Sequence, residues 1–189
     1  QTERIMLNIM QRMSGIATVT ARYQERLAGL PCKVLDTRKT TPGLRMLEKE
    51  AVRIGGGSNH RIGLFDMILI KDNHVDFAGG IAAAVERAKA YCKENGKDLK
   101  IEQEVRNTDE IRQAIAAGVD RIMLDNFDPE RTAEAVRIIR AEAPGVEIES
   151  SGGITLDTLR SYGEAGVDFV SVGALTHSVK GLDMSFKAC

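Results

Sequence analysis

Three segments of this chain repeat one local shape: "AAGVDRIML", "APGVEIES" and "EAGVDFVSV". In each, helical text runs into a glycine and an apolar strand follows at once. A chain that ends helices and starts strands in this way builds βα units. Six short apolar runs fit the pattern: 33–36, 67–70, 99–105, 121–125, 146–149 and 169–172. Helical stretches at 44–54, 81–95, 109–117, 129–143 and 156–165 lie between them. Thr108 and Asp128 are the expected N-caps, the latter followed by Pro129 at the first helical position. The fold class is therefore α/β with parallel strands and outer helices, as a closed barrel or an open doubly wound sheet.

Upstream of these units, Ile5, Ile9, Met13, Ile16 and Val19 recur at spacings of three and four, which predicts a helix across residues 2–29. The text opens inside that pattern, with Gln1 rather than Met. The expected organisation is a helical lead-in at 1–30 and an α/β domain at 31–189, with a piece missing upstream.

Composition narrows the function. The chain has 26 basic and 27 acidic residues, a net charge of −1, so there is no global field for nucleic acid. Trp is absent and aromatics make up 4%, which argues against base-stacking platforms. No apolar run reaches the roughly 20 residues of a membrane span, and no signal peptide opens the chain. Cys32, Cys92 and Cys189 are an odd number without close pairing, which fits a reducing compartment and no zinc site. His74 and His177 lack ligand spacing, and Gly55-Gly56-Gly57 is not followed by the G-K-[ST] of a phosphate-binding P-loop.

The strands are apolar early and polar at their carboxyl ends, where α/β folds build their sites. Glu102 and Glu104 share one face of a strand, Asp125 closes the next, and Lys71 closes an earlier one. Ser150-Ser151-Gly152-Gly153 and Ser171-Val172-Gly173-Ala174 follow the last two strands, the place where barrels hold phosphate. Arg38, Lys39, Arg45, His60, Arg61 and Lys71 crowd the loops of the first two strands and suit an anionic substrate. Tight turns and solvated charged loops are the plain alternatives.

Together the motifs "DTRKTTPGLR", "GGGSNHRIGLFDMILIKDNH", "IEQEV", "MLDN", "ESSGGI" and "DFVSVGALTHS" resemble the quinolinate phosphoribosyltransferase family, in order, from about Arg4 to Asp183. The resemblance implies an incomplete, TIM-like α/β barrel of about six parallel strands. It implies phosphoribosyl transfer from phosphoribosyl pyrophosphate to quinolinate with decarboxylation, giving nicotinate mononucleotide, pyrophosphate and CO2 in de novo NAD synthesis. Mg2+ is the implied cofactor. A cytoplasmic homodimer, or a multiple of dimers, with shared active sites is the implied assembly, with neither nucleic acid nor membrane as partner. A related barrel with another acceptor, or a truncated inactive ligand-binding domain, is the alternative.

Residue by residue, the resemblance implies that Arg38, His60 and Arg61 bind the quinolinate carboxylates, with Lys39 and Lys71 adding charge near substrate and phosphates. It implies that Arg4 reaches a neighbouring subunit's site. Glu104 and Asp125 would lie by the ribose hydroxyls and Mg2+, with Glu102 close by. Ser151, Gly152, Gly153, Gly173 and Ala174 would cradle the 5′-phosphate, with His177 near that loop. Lys39, Lys71, Glu104 and Asp125 are the expected catalytic group. Gln103 stands where the family usually has an apolar residue.

Overall fold

A computed structural model describes residues 2–187. Helix α1 (Thr2–Arg26) leads into six βα units: β1 (Lys33–Leu35), α2 (Arg45–Ile54), β2 (Ile68–Ile70), α3 (Asp72–Ala78), α4 (Ile81–Glu94), β3 (Ile101–Val105), α5 (Thr108–Ala117), β4 (Arg121–Asp125), α6 (Pro129–Glu142), β5 (Glu147–Ser151), α7 (Leu159–Glu164), β6 (Phe169–Ser171) and α8 (Ala174–His177). Cys189 lies outside the described residues. No described helix is long and apolar enough to cross a membrane.

All strand pairs are parallel, in the order β1-β6-β5-β4-β3-β2. That order decides between the two expected architectures. The chain steps one way from β2 to β6, and β1 then joins β6, so the winding never reverses as it must in a doubly wound sheet. Right-handed crossovers then put every connecting helix on one face. The other face curls inward: His60, from the loop before β2, touches Glu102 of β3 and Glu149 of β5 together. The result is a barrel left open between β1 and β2. Residues 57–60 run along that edge, where Ser58 forms a parallel bridge with Leu35.

The core lies between the outer strand faces and the helices. Val34, Ile70, Ile122, Leu124, Ile148 and Val170 meet Ile111, Ile139 and Leu159 there, all buried. Gln103 shares that outer face, opposite Ile122 in register. It is wholly buried, its amide nitrogen donates to Glu104 O at 2.7 Å, and its carbonyl oxygen has no partner among the described residues.

Helix α1 packs against α2, α7, α8 and β1. The glycine triplet makes the approach possible: a Cβ on Gly55 would stand 2.4 Å from Ala17 O, and one on Gly57 would stand 2.8 Å from Thr20 Cγ2. Of the predicted apolar stripe, Ile16 is buried and Met13 and Val19 are packed on the core, but Ile5 is 64% exposed. Met6 and Met10 are exposed beside it.

Element boundaries shift by a few residues from the sequence reading. The N-cap of α5 is Asn107, not Thr108, because the Asn107 side chain accepts the Glu110 N–H at 2.9 Å. Asp128 caps α6 as expected, accepting from Arg131 N–H at 2.8 Å. α7 begins at Leu159 rather than 156, so no helix N-terminus lies at the Gly152-Gly153 turn. α3 and α8 were not anticipated.

Candidate active site

The carboxyl ends of the strands open onto a cavity of about 740 Å³. It collects Arg38 and Lys39 after β1, His60 and Arg61 before β2, Lys71 after β2, Glu104 on β3 and Asp125 on β4. Ser151, Gly152 and Gly153 follow from β5, and Gly173, Ala174 and His177 from the β6 turn. Thus every residue given a site role lines one cavity except Arg4 and Glu102, and Arg45 of the basic cluster also lies outside it, its guanidinium bound to Thr40 Oγ1 and to the carbonyls of Ile62 and Arg38. Arg4 is exposed near the free end of α1. Glu102 is fully buried one layer below the cavity, next to His60.

The strand register explains this layering. Side chains alternate, so Glu102 and Glu104 both point into the barrel, one layer apart. Glu104 pairs with Met123 and Glu102 with Arg121, while Asp125 pairs with Ser151. Glu104 Oε2 accepts from Lys71 Nζ at 3.2 Å, and the two are the only cavity carboxylate and lysine in contact among the described residues. Asp125 Oδ2 accepts from the Asn126 side chain at 2.8 Å. Asn126 sits at φ 55°, in the left-handed region, and fits against the β5 turn. A Cβ on Gly152 (φ 103°) would stand 2.2 Å from Asn126 Oδ1, so that turn requires glycine.

At the other side of the cavity, Gly173 lets His177 and Lys39 close in, since a Cβ there would meet the His177 ring at 3.0 Å and Lys39 Cδ at 3.4 Å. The backbone N–H groups of Gly152, Gly153 and Gly173 donate to no acceptor among the described residues. Arg38 and Lys39 are exposed, and Arg61 is half-buried. Burial lowers the affinity of Arg61 for its proton, and the neighbouring charge of Arg38 adds to this. Two guanidinium groups so placed favour an anion between them.

Below the floor lies a charged layer. His60 Nε2 stands 2.9 Å from Glu102 Oε2 and 3.4 Å from Glu149 Oε2. Arg121 Nη1 lies 3.3 Å from Glu149 and its Nη2 lies 2.8 Å from Glu147. Burial, and then repulsion from Glu149, push Glu102 up to about 7. Burial also opposes charge on His60, but Glu102 and Glu149 outweigh it and push the imidazole up to about 9. Glu149 moves the other way: hydrogen bonds and charge from His60, Ser171 and Arg121 outweigh burial and keep it ionised.

Sequence reasoning missed the groups that fix the basic loops. Lys49 and Asp36 form a buried ion pair, and Lys49 also donates to His60 O at 2.9 Å. Arg12 of α1 binds Glu48 through Nε at 3.0 Å, and also reaches Val179 O at 3.0 Å and the carbonyl of Thr176. Asp36 and Arg12 carried no signal of their own, because their partners lie on other elements.

The sequence profile described as "Quinolinate phosphoribosyl transferase, C-terminal domain" matches residues 16–187. The chain belongs to the quinolinate phosphoribosyltransferase family. It is 48% identical to "Probable nicotinate-nucleotide pyrophosphorylase [carboxylating]" of Bacillus subtilis, over 97% of this chain and 61% of that protein. It is 46% identical to the chloroplastic nicotinate-nucleotide pyrophosphorylase [carboxylating] of Arabidopsis thaliana, over 98% of this chain and 56% of that one. Its fold matches the nicotinate-nucleotide pyrophosphorylase of Francisella tularensis with a TM-score of 0.90 at 49% identity, covering 97% of this chain and 63% of the other. The chain thus spans a little over half the length of the family members it matches.

Proposed function

We propose that the cavity transfers a phosphoribosyl group from phosphoribosyl pyrophosphate to quinolinate, releasing pyrophosphate and CO2 and leaving nicotinate mononucleotide. The single observation that carries this reading is the division of charge in one cavity. Arg38, Lys39, Arg61 and Lys71 line one side, Glu104 and Asp125 face them, and two glycine turns close the third side. A dicarboxylate, a ribose and a phosphate need those three surfaces.

Arg38 and Arg61 hold the carboxylates through forked, charge-assisted hydrogen bonds. The turns at Ser151–Gly153 and Gly173–Ala174 offer free N–H groups to the 5′-phosphate. The quinolinate nitrogen attacks the ribose carbon, the new C–N bond forms, and the bond to pyrophosphate breaks. Positive charge develops at the ribose carbon, and Glu104 and Asp125 stabilise it. Lys39 and Lys71 offset the charge of the phosphates. The 2-carboxylate then leaves as CO2, its bonding electrons stay on the ring carbon beside the cationic nitrogen, and that carbon takes up a proton. No side chain need act as acid or base to break that bond; orientation suffices.

Glu104 and Asp125 present hard oxygen donors at the cavity wall, the set that suits Mg2+ held jointly by protein carboxylates and substrate. When bound, the ion would neutralise charge on the departing pyrophosphate.

We place the protein in the cytoplasm as a dimer, or a multiple of dimers, with an N-terminal domain preceding the barrel and roofing the partner's site. The exposed Ile5, Met6 and Met10 on α1 support a covered surface at that end, and the profile matched is that of a C-terminal domain. Sedimentation tests this, since a strictly monomeric and fully active chain would refute shared sites. Turnover with quinolinate against nicotinate tests the acceptor.

A further inference from the structure

We propose that Asn126 is a positioning residue: its side chain holds the Asp125 carboxylate beside the β5 turn, so that the carboxylate and the phosphate-side glycines are set by one another. The inference rests on the reading above, in which Asp125 stabilises charge at the ribose carbon.

Among the described residues, Asn126 is the only one other than glycine with a positive φ, at 55°. The left-handed region costs most residues energy, glycine none and asparagine little. Such a conformation persists where its surroundings dictate it. Here they do so from both sides. The Asn126 N–H donates to Ser151 O at 2.8 Å, tying the exit of β4 to the last residue of β5. Phe127, next in the chain, is buried, and its carbonyl accepts from the Tyr162 hydroxyl at 3.0 Å. Asp128 then caps α6.

The Asn126 side chain lines the cavity. Its Nδ2 donates to Asp125 Oδ2 at 2.8 Å. The reversed amide would set an oxygen against a carboxylate, so the donor's place is fixed. Oδ1 then lies against Gly152, where a Cβ would stand 2.2 Å from it. One carboxamide thus fills the space between the Asp125 carboxylate and the glycine turn. Among the described residues, no other side chain donates to Asp125. Orientation of a charged group toward a reacting carbon is where a small misplacement becomes a large loss of rate. Glycine would serve the backbone at position 126 as well as asparagine does, but it offers Asp125 no donor.

That difference gives the test, run on the chain extended to the length of its relatives. Asn126→Gly keeps the turn and removes the carboxamide. It should unfold at nearly the wild-type temperature, yet lower kcat about tenfold, the scale of one charged hydrogen bond, with the KM for quinolinate little changed. Asn126→Ala should lose the same activity and stability as well, because alanine is strained at this φ. In a double-mutant cycle with Asp125→Asn, Asn126→Gly should add almost nothing. A crystal structure of the Asn126→Gly chain should show the Asp125 carboxylate in more than one position, against a single position in the wild type. A wild-type kcat in Asn126→Gly would mean that the position needs only its backbone angle, and would overturn the proposal. Additive losses would overturn it too, since Asn126 would then act on the substrate without Asp125. So would an Asp125 carboxylate unmoved in the variant crystal. If the wild type turns over no quinolinate, the substrate reading fails on its own, and the Asp125 position alone decides the proposal.

Discussion

The hydroxyl of Thr176 donates to the carbonyl oxygen of Lys39 at 2.8 Å, tying the turn after β6 to the loop after β1. These are the surfaces assigned to the phosphate and to the anionic substrate. Arg12 reinforces the tie by reaching Thr176, Val179 and Glu48 together. The two binding surfaces are therefore tied to each other directly. Thr176→Val keeps the shape and removes the buried bond. It should cost about 1 kcal/mol in urea unfolding and raise the KM for both substrates. A loss of stability with both KM values unchanged would show the tie to be structural only.

The buried Lys49–Asp36 pair should dominate local stability. Both side chains are almost fully inaccessible, and Asp36 also holds the His60 N–H. Lys49→Met leaves an uncompensated buried carboxylate and should destabilise by about 3–5 kcal/mol. The double replacement Lys49→Met with Asp36→Leu should recover much of that loss in the same unfolding measurement, though not activity.

Arg61 is assigned to a carboxylate, and its loss should be selective. Arg61→Ala should weaken apparent quinolinate binding by about 2–5 kcal/mol and leave phosphoribosyl pyrophosphate nearly untouched. Steady-state kinetics with each substrate varied in turn gives the comparison. Equal effects on both would sink the assignment.

Acid should find a defined weak point at Glu147. Burial opposes its charge, but hydrogen bonds from Lys100 and Arg121 outweigh this and hold its carboxyl below the ordinary 4.5. The folded state then binds fewer protons here than the unfolded state. The stabilisation is fully present above the unfolded value and is lost as pH falls through the lowered folded value. Glu147→Gln should therefore show a smaller drop in stability than wild type when pH is lowered past that range. An identical acid profile would remove Glu147 from the account.

Much of the fold was legible because each βα unit announces itself locally. Three junctions carry a glycine directly before an apolar run, which is a property of neighbouring residues. Which strand edges meet is not local, so a doubly wound sheet stayed open until β1 was found beside β6. Strand parity placed Glu102 and Glu104 on one face. It could not say that Glu102 sits a layer too deep to line the cavity, because depth depends on barrel closure. Arg12, Lys49 and Asp36 were missed for the same reason. A charged residue on a helix or at a strand exit reads as solvated until the partner that covers it is in place. The helix α3 escaped notice because its seven residues start directly after β2, in polar text without a period.

The central claim is that Glu104 and Asp125 face a phosphoribosyl donor and a dicarboxylate in one cavity. The most direct test is release of CO2 from carboxyl-labelled quinolinate with phosphoribosyl pyrophosphate and Mg2+. It should be run on this chain and on one extended to the length of its relatives. The extended chain should give CO2 and nicotinate mononucleotide in equal amounts, and the shorter chain little. Glu104→Gln and Asp125→Asn should each lower kcat roughly 10²–10³-fold without unfolding the protein. Near-normal turnover in either variant, or nicotinate accepted in place of quinolinate by the extended chain, would contradict the account.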